Sequence, residues 1–452
     1  MDDGRFDPRS VGAFHVTTCS FDATTRVATL GYAFEKGPEF EETVTFESAP
    51  APDFAPSDPR LARALRHLHV AAGTSYYKAA APDLVVVEAE LTADEVAFHH
   101  HLYDEGLREF AVTNGLPVPR PVTLEADRVA PVPAVATGRS GGPRIVVPIG
   151  GGKDSMVAAE ALRALRPRLL AVDPHPLVVE LAAQSGLELL VARRTLSPEL
   201  ARLNRRGARN GHVPITAIVS LVAVVGGMVW GYDTVAMAVE RSASEETVTV
   251  DGVPVNHQYS KSRAFEELLR DLVRTSVDPG ITYGSVLRPY SELAIARAFA
   301  RLGRYRDAFC SCNTVFRRSG GASDGWCGQC DKCRFVALVL APFLGRQALG
   351  TVMGADLLAD PAQQEGFAAL MSATEKPFEC VGERRESAAA FRLLAEQEEW
   401  RDAAVVAALG PAARSLVSDD EVDRLLAPDP ALAFPDPMVA EAVDRFMDPD
   451  RD

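Results

Sequence analysis

Two clusters in this chain have residue types and spacings that can do chemistry. The first is Gly150-Gly151-Gly152-Lys153-Asp154-Ser155, placed between the apolar run Arg144-Ile-Val-Val-Pro-Ile149 and a helical pattern from Asp154 to Leu165. Three glycines let the backbone turn tightly and approach an anion, and the first N–H groups of the following helix point at it. Lys153 adds charge and Ser155 a hydroxyl donor, so the expected ligand is a phosphate chain. Spacing excludes two familiar glycine loops. The Walker A loop needs Ser or Thr after Gly-Lys, where this chain has Asp154; the dinucleotide loop needs Gly-x-Gly-x-x-Gly, and no glycine follows at the third place.

The second cluster is Cys312, Cys327, Cys330 and Cys333, in the spacing Cys-x14-Cys-x2-Cys-x2-Cys. Four thiolates so spaced close a tetrahedral zinc shell, and a [4Fe-4S] cluster could use the same set. No position is left open, so the metal is expected to be structural. Cys310 is the spare thiol beside it. Its bland role is a small buried side chain; its sharper roles are acid/base chemistry or an alternative metal ligand. Cys19 and Cys380 stand alone among the seven cysteines, a distribution that fits a reducing compartment and a metal site rather than a disulfide framework.

Around these clusters the chain is expected to fold nearly throughout. Its 452 residues are about three times the length of a typical single domain, which predicts two or three domains. Hydrophobic residues make up 47% and charged residues 24%, a globular balance. The net charge of -15 argues against nucleic acid as the main partner, because phosphate backbones are held by surplus Lys and Arg. Arg193, Arg194, Arg202, Arg205, Arg206 and Arg209 form one basic segment, read either as a local anion patch or as a solvated helix face. Met1 to Ser10 is acidic and polar, unlike a secretion signal, so a cytoplasmic protein is expected. The apolar run Val213 to Gly231 holds Pro214, Gly226 and Gly227 and reads as a buried helix rather than a membrane span. No membrane partner is expected.

Residues 1–125 mix alternating stretches, Arg26 to Phe34 and Glu42 to Phe46, with helical patterns at Arg60 to Ala72 and Asp94 to Thr113. This predicts a separate α+β domain, with a proline- and glycine-rich linker over 126–143. His99, His100 and His101 fall on a helical pattern where neighbours face different ways, so they are expected at the surface. From 144 to 345 short apolar runs alternate with helical ones: strands at 144–149, 168–173 and 187–192, helices at 154–165 and 176–185. That βαβαβ order predicts an α/β fold, a parallel sheet with helices on both faces and ligands at the strands' carboxyl ends. Residues 346–452, with helical stretches near Ser387 to Leu409 and Asp420 to Leu426, are expected as a helical terminal region.

The loop resembles the Ser-Gly-Gly-x-Asp-Ser signature of the PP-loop ATP pyrophosphatases, an adenine nucleotide alpha hydrolase-like fold, whose members cleave ATP between its α and β phosphates. Gly150 stands where that signature has Ser, so one hydroxyl contact is missing. The resemblance implies that Gly151, Gly152, Asp154 and Ser155 surround pyrophosphate, that Asp154 helps order Mg2+, and that Asp173 at a strand end meets adenosine. The segment 310–333, with Ser311-Cys312-Asn313 and Trp326-Cys327-Gly328-Gln329-Cys330-Asp331-Lys332-Cys333-Arg334, is similar to the zinc knuckle of the PP-loop synthase of cyano-deazaguanine, which favours zinc.

Four further segments are Gly73-Thr-Ser-Tyr-Tyr-Lys78, Gly211-His-Val-Pro-Ile-Thr-Ala217, Glu240-Arg-Ser-Ala-Ser244 and Asn256-His-Gln-Tyr-Ser-Lys-Ser262. With the loop and the knuckle, over about Gly73 to Gly345, they resemble the ATP-dependent epimerases that act on UDP-N-acetylmuramoyl-L-alanyl-L-glutamate in peptidoglycan precursor synthesis. The resemblance implies an isomerase that adenylates the glutamate α-carboxylate, releases pyrophosphate and AMP, and yields D-glutamate. Lys153 and Asp154 would serve the ATP step. His212, His257, Lys261 and Cys310 are the acid/base candidates, Glu240 and Arg241 the substrate contacts, and the N-terminal domain is expected to help bind the UDP-muramoyl portion. Other readings are an amide- or nitrile-forming PP-loop ligase, a tRNA-thiolating enzyme, which the acidic balance disfavours, and a nucleotide-sensing module that binds ATP without cleaving it.

Overall fold

The computed structural model describes residues 5–131, 141–315, 325–372 and 381–448. Cys380, the middle of the 126–143 linker and the middle of the 310–333 segment lie outside the described residues. In chain order the strands are β1 (Ala13–Asp22), β2 (Val27–Phe34), β3 (Glu39–Phe46), β4 (Leu84–Leu91), β5 (Thr123–Arg128), β6 (Ile145–Pro148), β7 (Arg168–Val172), β8 (Leu189–Thr195), β9 (Thr234–Met237), β10 (Val248–Val250), β11 (Val253–Val255) and β12 (Thr282–Ser285). Ten of them form one sheet, in the order β12-β9-β6-β7-β8-β3-β2-β1-β4-β5, while β10 and β11 make a separate hairpin.

The strands from β12 to β8 are parallel. Their runs are apolar on both sides because both faces are covered. Ile145 and Val147 of β6, with Leu169 and Ala171 of β7, enter one core, which they share with the cysteine segment and the C-terminal helices. Val146 and Leu170 point the other way, into a core shared with β1 to β4 and the helices Pro59–Ala72 and Ile215–Trp230. The period of two along a strand thus assigns the N-terminal region to one face and the C-terminal helices to the other.

The expected boundary near residue 125 does not interrupt the sheet. β3 pairs antiparallel with β8, Val44 opposite Arg194 and Phe46 opposite Ala192, so strands from 1–125 and from 144–345 share hydrogen bonds and a core. Because β3, β2 and β1 alternate in direction while β4 and β5 follow β1, the carboxyl ends of β1, β4 and β5 lie opposite those of β6 to β9. Glu42 lies in the buried row of β3 with Phe40, Val44 and Phe46 and is itself 0% exposed. Arg194 meets it from β8 in a bidentate pair at 2.6 and 3.0 Å and also donates to Ser75 Oγ at 2.9 Å.

The apolar run from Val213 folds as the helix Ile215–Trp230, closed by Gly231 in the left-handed conformation at φ 72°. It is buried against Pro59–Ala72; among the described residues no helix is long and apolar enough to cross a membrane. The histidine run departs from expectation at one position. His100 is half-buried and His101 exposed, but His99 is fully buried, its Nε2 3.2 Å from His67 Nδ1. On a helix whose opposite face is solvated, one of three successive residues must point inward.

Glu42→Ala would strand the Arg194 guanidinium in the core. We expect a loss of about 3–5 kcal/mol in urea unfolding; a loss under about 1 kcal/mol would show that the seam does not depend on this pair.

Candidate active site

The glycine loop sits at the carboxyl end of β6, as the strand-loop-helix pattern predicts. Gly151 takes φ 89°, a conformation that favours glycine. Gly152 caps the helix Lys153–Ala161, and Ser155 Oγ donates to its carbonyl at 3.1 Å. A Cβ built on Gly150 meets nothing within 4 Å, so the missing serine of the signature is not a steric matter. The Gly151 carbonyl accepts from Cys310 N at 3.0 Å, tying the loop to the cysteine segment.

Lys153 is 2% exposed and its ammonium turns under the loop to Asp154 and Glu292. Burial alone would lower its pKa, but the two carboxylates outweigh it and hold the group above its ordinary value. Glu292 is raised, first by burial and then by Asp154, against the pull of Lys153. Carboxylate oxygens of Asp154, Glu240 and Glu292 lie within 4.8 Å of one another. Glu240, expected to meet substrate, is thus buried beside the loop. Behind them Glu386 accepts from the backbone N of Glu292 and of Glu383, each at 2.7 Å, capping two helices at once. Burial, with Glu383 and Glu292 nearby, pushes it up to about 8. Lys332, inside the cysteine motif, comes within 3.9 Å of Glu292. Glu292, Lys332 and Glu386 were not singled out in the sequence, where nothing marks them except the position of Lys332 between two cysteines.

The four cysteines converge as the spacing predicts. Their sulfurs lie within 4.8 Å of one another, with Cys327–Cys333 at 3.7 Å and Cys330–Cys333 at 3.4 Å. A zinc ion with bonds of about 2.3 Å requires tetrahedral edges of about 3.8 Å, so the donor set fits. Cys310 is not in the group; burial pushes its thiol up to about 11, which leaves it protonated near neutral pH.

A cavity of about 660 Å³ opens over the carboxyl ends of β6, β7 and β8, lined among others by Ser75, Lys78, Gly150, Asp173, Arg194 and His212. Asp173 holds φ 47° at the strand end, and its carboxylate accepts from Arg194 N at 3.0 Å. Of the basic segment, Arg194 is thus structural, Arg193 pairs with Glu47, Arg202 with Glu199, and Arg209 donates to the Ala80 carbonyl. A larger cavity, about 750 Å³, is lined by Arg63, Glu95 and Ser276 and holds no loop or cysteine residue.

His212, which lines the smaller cavity, meets His257, ring centroids 4.7 Å apart. Both approach Glu109, a residue the sequence reading missed. The segments that carry Glu240, Arg241, His257 and Lys261 are tied by buried Arg288, which donates to Glu240 O at 2.7 Å, Lys261 O at 2.8 Å and Glu266 at 2.9 Å. Arg241 is held by its backbone N on Tyr290 O at 2.9 Å. Lys261 Nζ donates to Gln258 at 3.0 Å. The hairpin β10–β11 connects the two segments through Asp251 and Gly252, both at positive φ.

A family model described as MurL N-terminal domain matches residues 5–286, and one described as MurL C-terminal domain matches 308–424. The chain belongs to the MurL family. It is 45% identical over 411 residues to a Salinispora tropica protein, with 89% of each chain covered, and 41% identical over 410 residues to one of Xanthomonas oryzae pv. oryzae, covering 89% and 90%. A Micromonospora protein is 43% identical over 408 residues, covering 89% and 91%. All three are named UDP-N-acetyl-alpha-D-muramoyl-L-alanyl-L-glutamate epimerase. No solved structure matches the chain. The family's division, between 286 and 308, falls inside the segment 144–345 that the sequence reading took as one catalytic domain. The glycine loop lies before it and the four cysteines after it, so the contacts of Lys153 with Glu292 and of Cys310 with Gly151 bring both sides to one site.

Two outcomes follow from this geometry. Elemental analysis of the purified protein is expected to find one zinc per chain, and Cys330→Ser to lower both zinc content and melting temperature; metal-free protein with an unchanged melting temperature would refute the zinc assignment. Lys153→Met takes from Glu292 its nearer ammonium and leaves the more distant Lys332. A carboxyl whose folded pKa is raised loses stability as pH rises through that range, so the deficit against wild type should grow from about pH 5 to about pH 8. A deficit independent of pH would contradict this.

Proposed function

We propose that this protein converts the terminal L-glutamate of UDP-MurNAc-L-Ala-L-Glu to D-glutamate in an ATP-dependent epimerisation. Membership of a family whose relatives carry that activity in their names supports the reaction. One observation carries the ATP-dependent form of it: a single cavity is lined both by the glycine loop at Gly150 and by an imidazole, His212.

The chemistry explains why one site needs both. A carboxylate holds its α-proton tightly because deprotonation places a second negative charge on the same framework. Transfer of AMP to the α-carboxylate removes the first charge, so a side-chain base of ordinary strength can take the proton. Reprotonation on the opposite face inverts the centre, and water then splits the mixed anhydride into carboxylate and AMP. In this reading Gly150, Gly151, Gly152 and Ser155 hold the phosphates, Asp154 helps hold Mg2+, and Asp173 lies toward adenosine. The buried Lys153 acts by ordering Asp154 and Glu292 beneath the loop. Mg2+ would neutralise phosphate charge, and Zn2+ on Cys312, Cys327, Cys330 and Cys333 would brace the loop from behind. The N-terminal region would help hold the UDP-muramoyl portion, and Arg241 suits a carboxylate through its planar fork.

Incubation with magnesium-ATP and UDP-MurNAc-L-Ala-L-Glu should yield D-glutamate after acid hydrolysis, together with AMP and pyrophosphate. D-glutamate without ATP consumption would remove adenylation from the scheme; neither product, from folded and zinc-loaded protein, would remove the substrate.

A further inference from the structure

Glu109, His212 and His257 come from three distant segments and meet at one oxygen. His257 Nδ1 lies 2.8 Å from Glu109 Oε2, and His212 Nδ1 lies 3.7 Å from the same atom. Glu109 is carried by the short helix Arg108–Thr113, His212 by the loop before Ile215–Trp230, and His257 by the turn after β11. The side chains of Glu109 and His257 are 12% and 11% exposed, His212 25%. A carboxylate facing Nδ1 accepts the proton there, which leaves the opposite ring nitrogen, Nε2, for proton exchange.

The same three side chains have the composition of a metal site. Lys78 and Lys261, however, both press positive charge on His212. Two positive charges that act on His212 oppose a divalent cation and favour an anionic ligand, such as a substrate carboxylate or phosphate. Burial, followed by the charge of His257, lowers the His212 pKa to about 4, so this ring is neutral near neutral pH, while the Glu109 carboxylate faces His257 Nδ1 at 2.8 Å. Two proton carriers with environments that differ in this way are what an acid and a base require.

We propose that His212 and His257 are the proton-exchange pair for the glutamate α-carbon, and that Glu109 is the positioning residue that sets their orientation and charge. This rests on the adenylation reading above. The α C–H bond breaks, its electron pair forms the enolate of the activated acyl group, and the proton passes to the neutral imidazole. The protonated imidazole then gives its proton to the opposite face, and a new C–H bond forms with inverted configuration. No oxidant or reductant is needed, and the two rings end with their protonation exchanged, ready for the reverse direction or for resetting by solvent.

The test separates proton exchange from adenylation. In D2O, with magnesium-ATP and UDP-MurNAc-L-Ala-L-Glu, we expect Glu109→Gln to lower deuterium entry at the glutamate α-carbon by about 100-fold, the range for a mispositioned acid or base. Substrate-dependent exchange of labelled pyrophosphate into ATP should stay close to wild type. Glu109→Asp should recover part of the deuterium entry, and His212→Gln, at a more exposed position, should repeat the loss if Glu109→Gln does not fold. Deuterium entry at the wild-type rate in both Glu109→Gln and His212→Gln overturns the proposal. So does a stoichiometric divalent metal, separate from the cysteine-bound ion, that these variants lose. Absence of pyrophosphate exchange in the wild-type protein instead overturns the adenylation reading beneath it.

Discussion

The buried pair of Glu42 and Arg194 is the constraint on which the rest of the architecture depends. Withdrawing two charges from water costs several kcal/mol per ion unless geometry is close to ideal, so the pair tolerates one arrangement of β3 against β8. A slip of one residue would turn Glu42 to the other face of the sheet and leave both charges unpaired. With that register held, Arg194 also reaches Ser75, and its backbone N meets Asp173. Tyr76, next in the chain, accepts from Ser197 N at 3.0 Å. The segment Gly73 to Lys78 is thereby brought to the rim of the cavity over β6, β7 and β8, although β1, β4 and β5 run opposite to the strands that form it.

A second set of contacts works from the other face. The C-terminal helices supply Glu386, which caps the helix beginning at Glu292; Glu292 meets Lys153, and Lys153 lies at the start of the helix that the glycine loop opens. Charges in this chain are shared among groups that are nearly all buried. Removal of one is felt by the others, because a low-dielectric interior screens weakly. The cysteine segment braces the same region through the hydrogen bond from Cys310 N to the Gly151 carbonyl and the approach of Lys332 to Glu292. In this arrangement the helical region is part of the loop's support rather than an appendage.

Local patterns were legible where the physics is local. The run Ile145 to Pro148, the glycines after it and the helix from Lys153 follow from periodicity and turn chemistry, and the helix Pro176–Ser185 has the expected bounds. Cysteine spacing predicted the convergence of four sulfurs, since Cys327, Cys330 and Cys333 follow one another at intervals of three residues into the start of the helix Asp331–Leu340. The separate N-terminal domain was not a local matter. An alternating strand looks the same whether its free edge meets solvent or another strand, and only the buried Glu42 hints that an arginine must arrive from elsewhere. His99 was misplaced for a similar reason: periodicity says that one of three neighbours points inward, but not which face the helix buries.

The sequence by itself determined the loop, the cysteine group and the alternation of strands and helices, because each depends on contacts between near neighbours. Only the tertiary structure decided that Lys153 faces Glu292, that Glu240 lies beneath the loop, and that Glu109 meets two histidines more than a hundred residues further along the chain. Those contacts join charges across a sheet whose order does not follow the chain. Their energies come from burial, which no stretch of sequence carries until the whole sheet has closed around it.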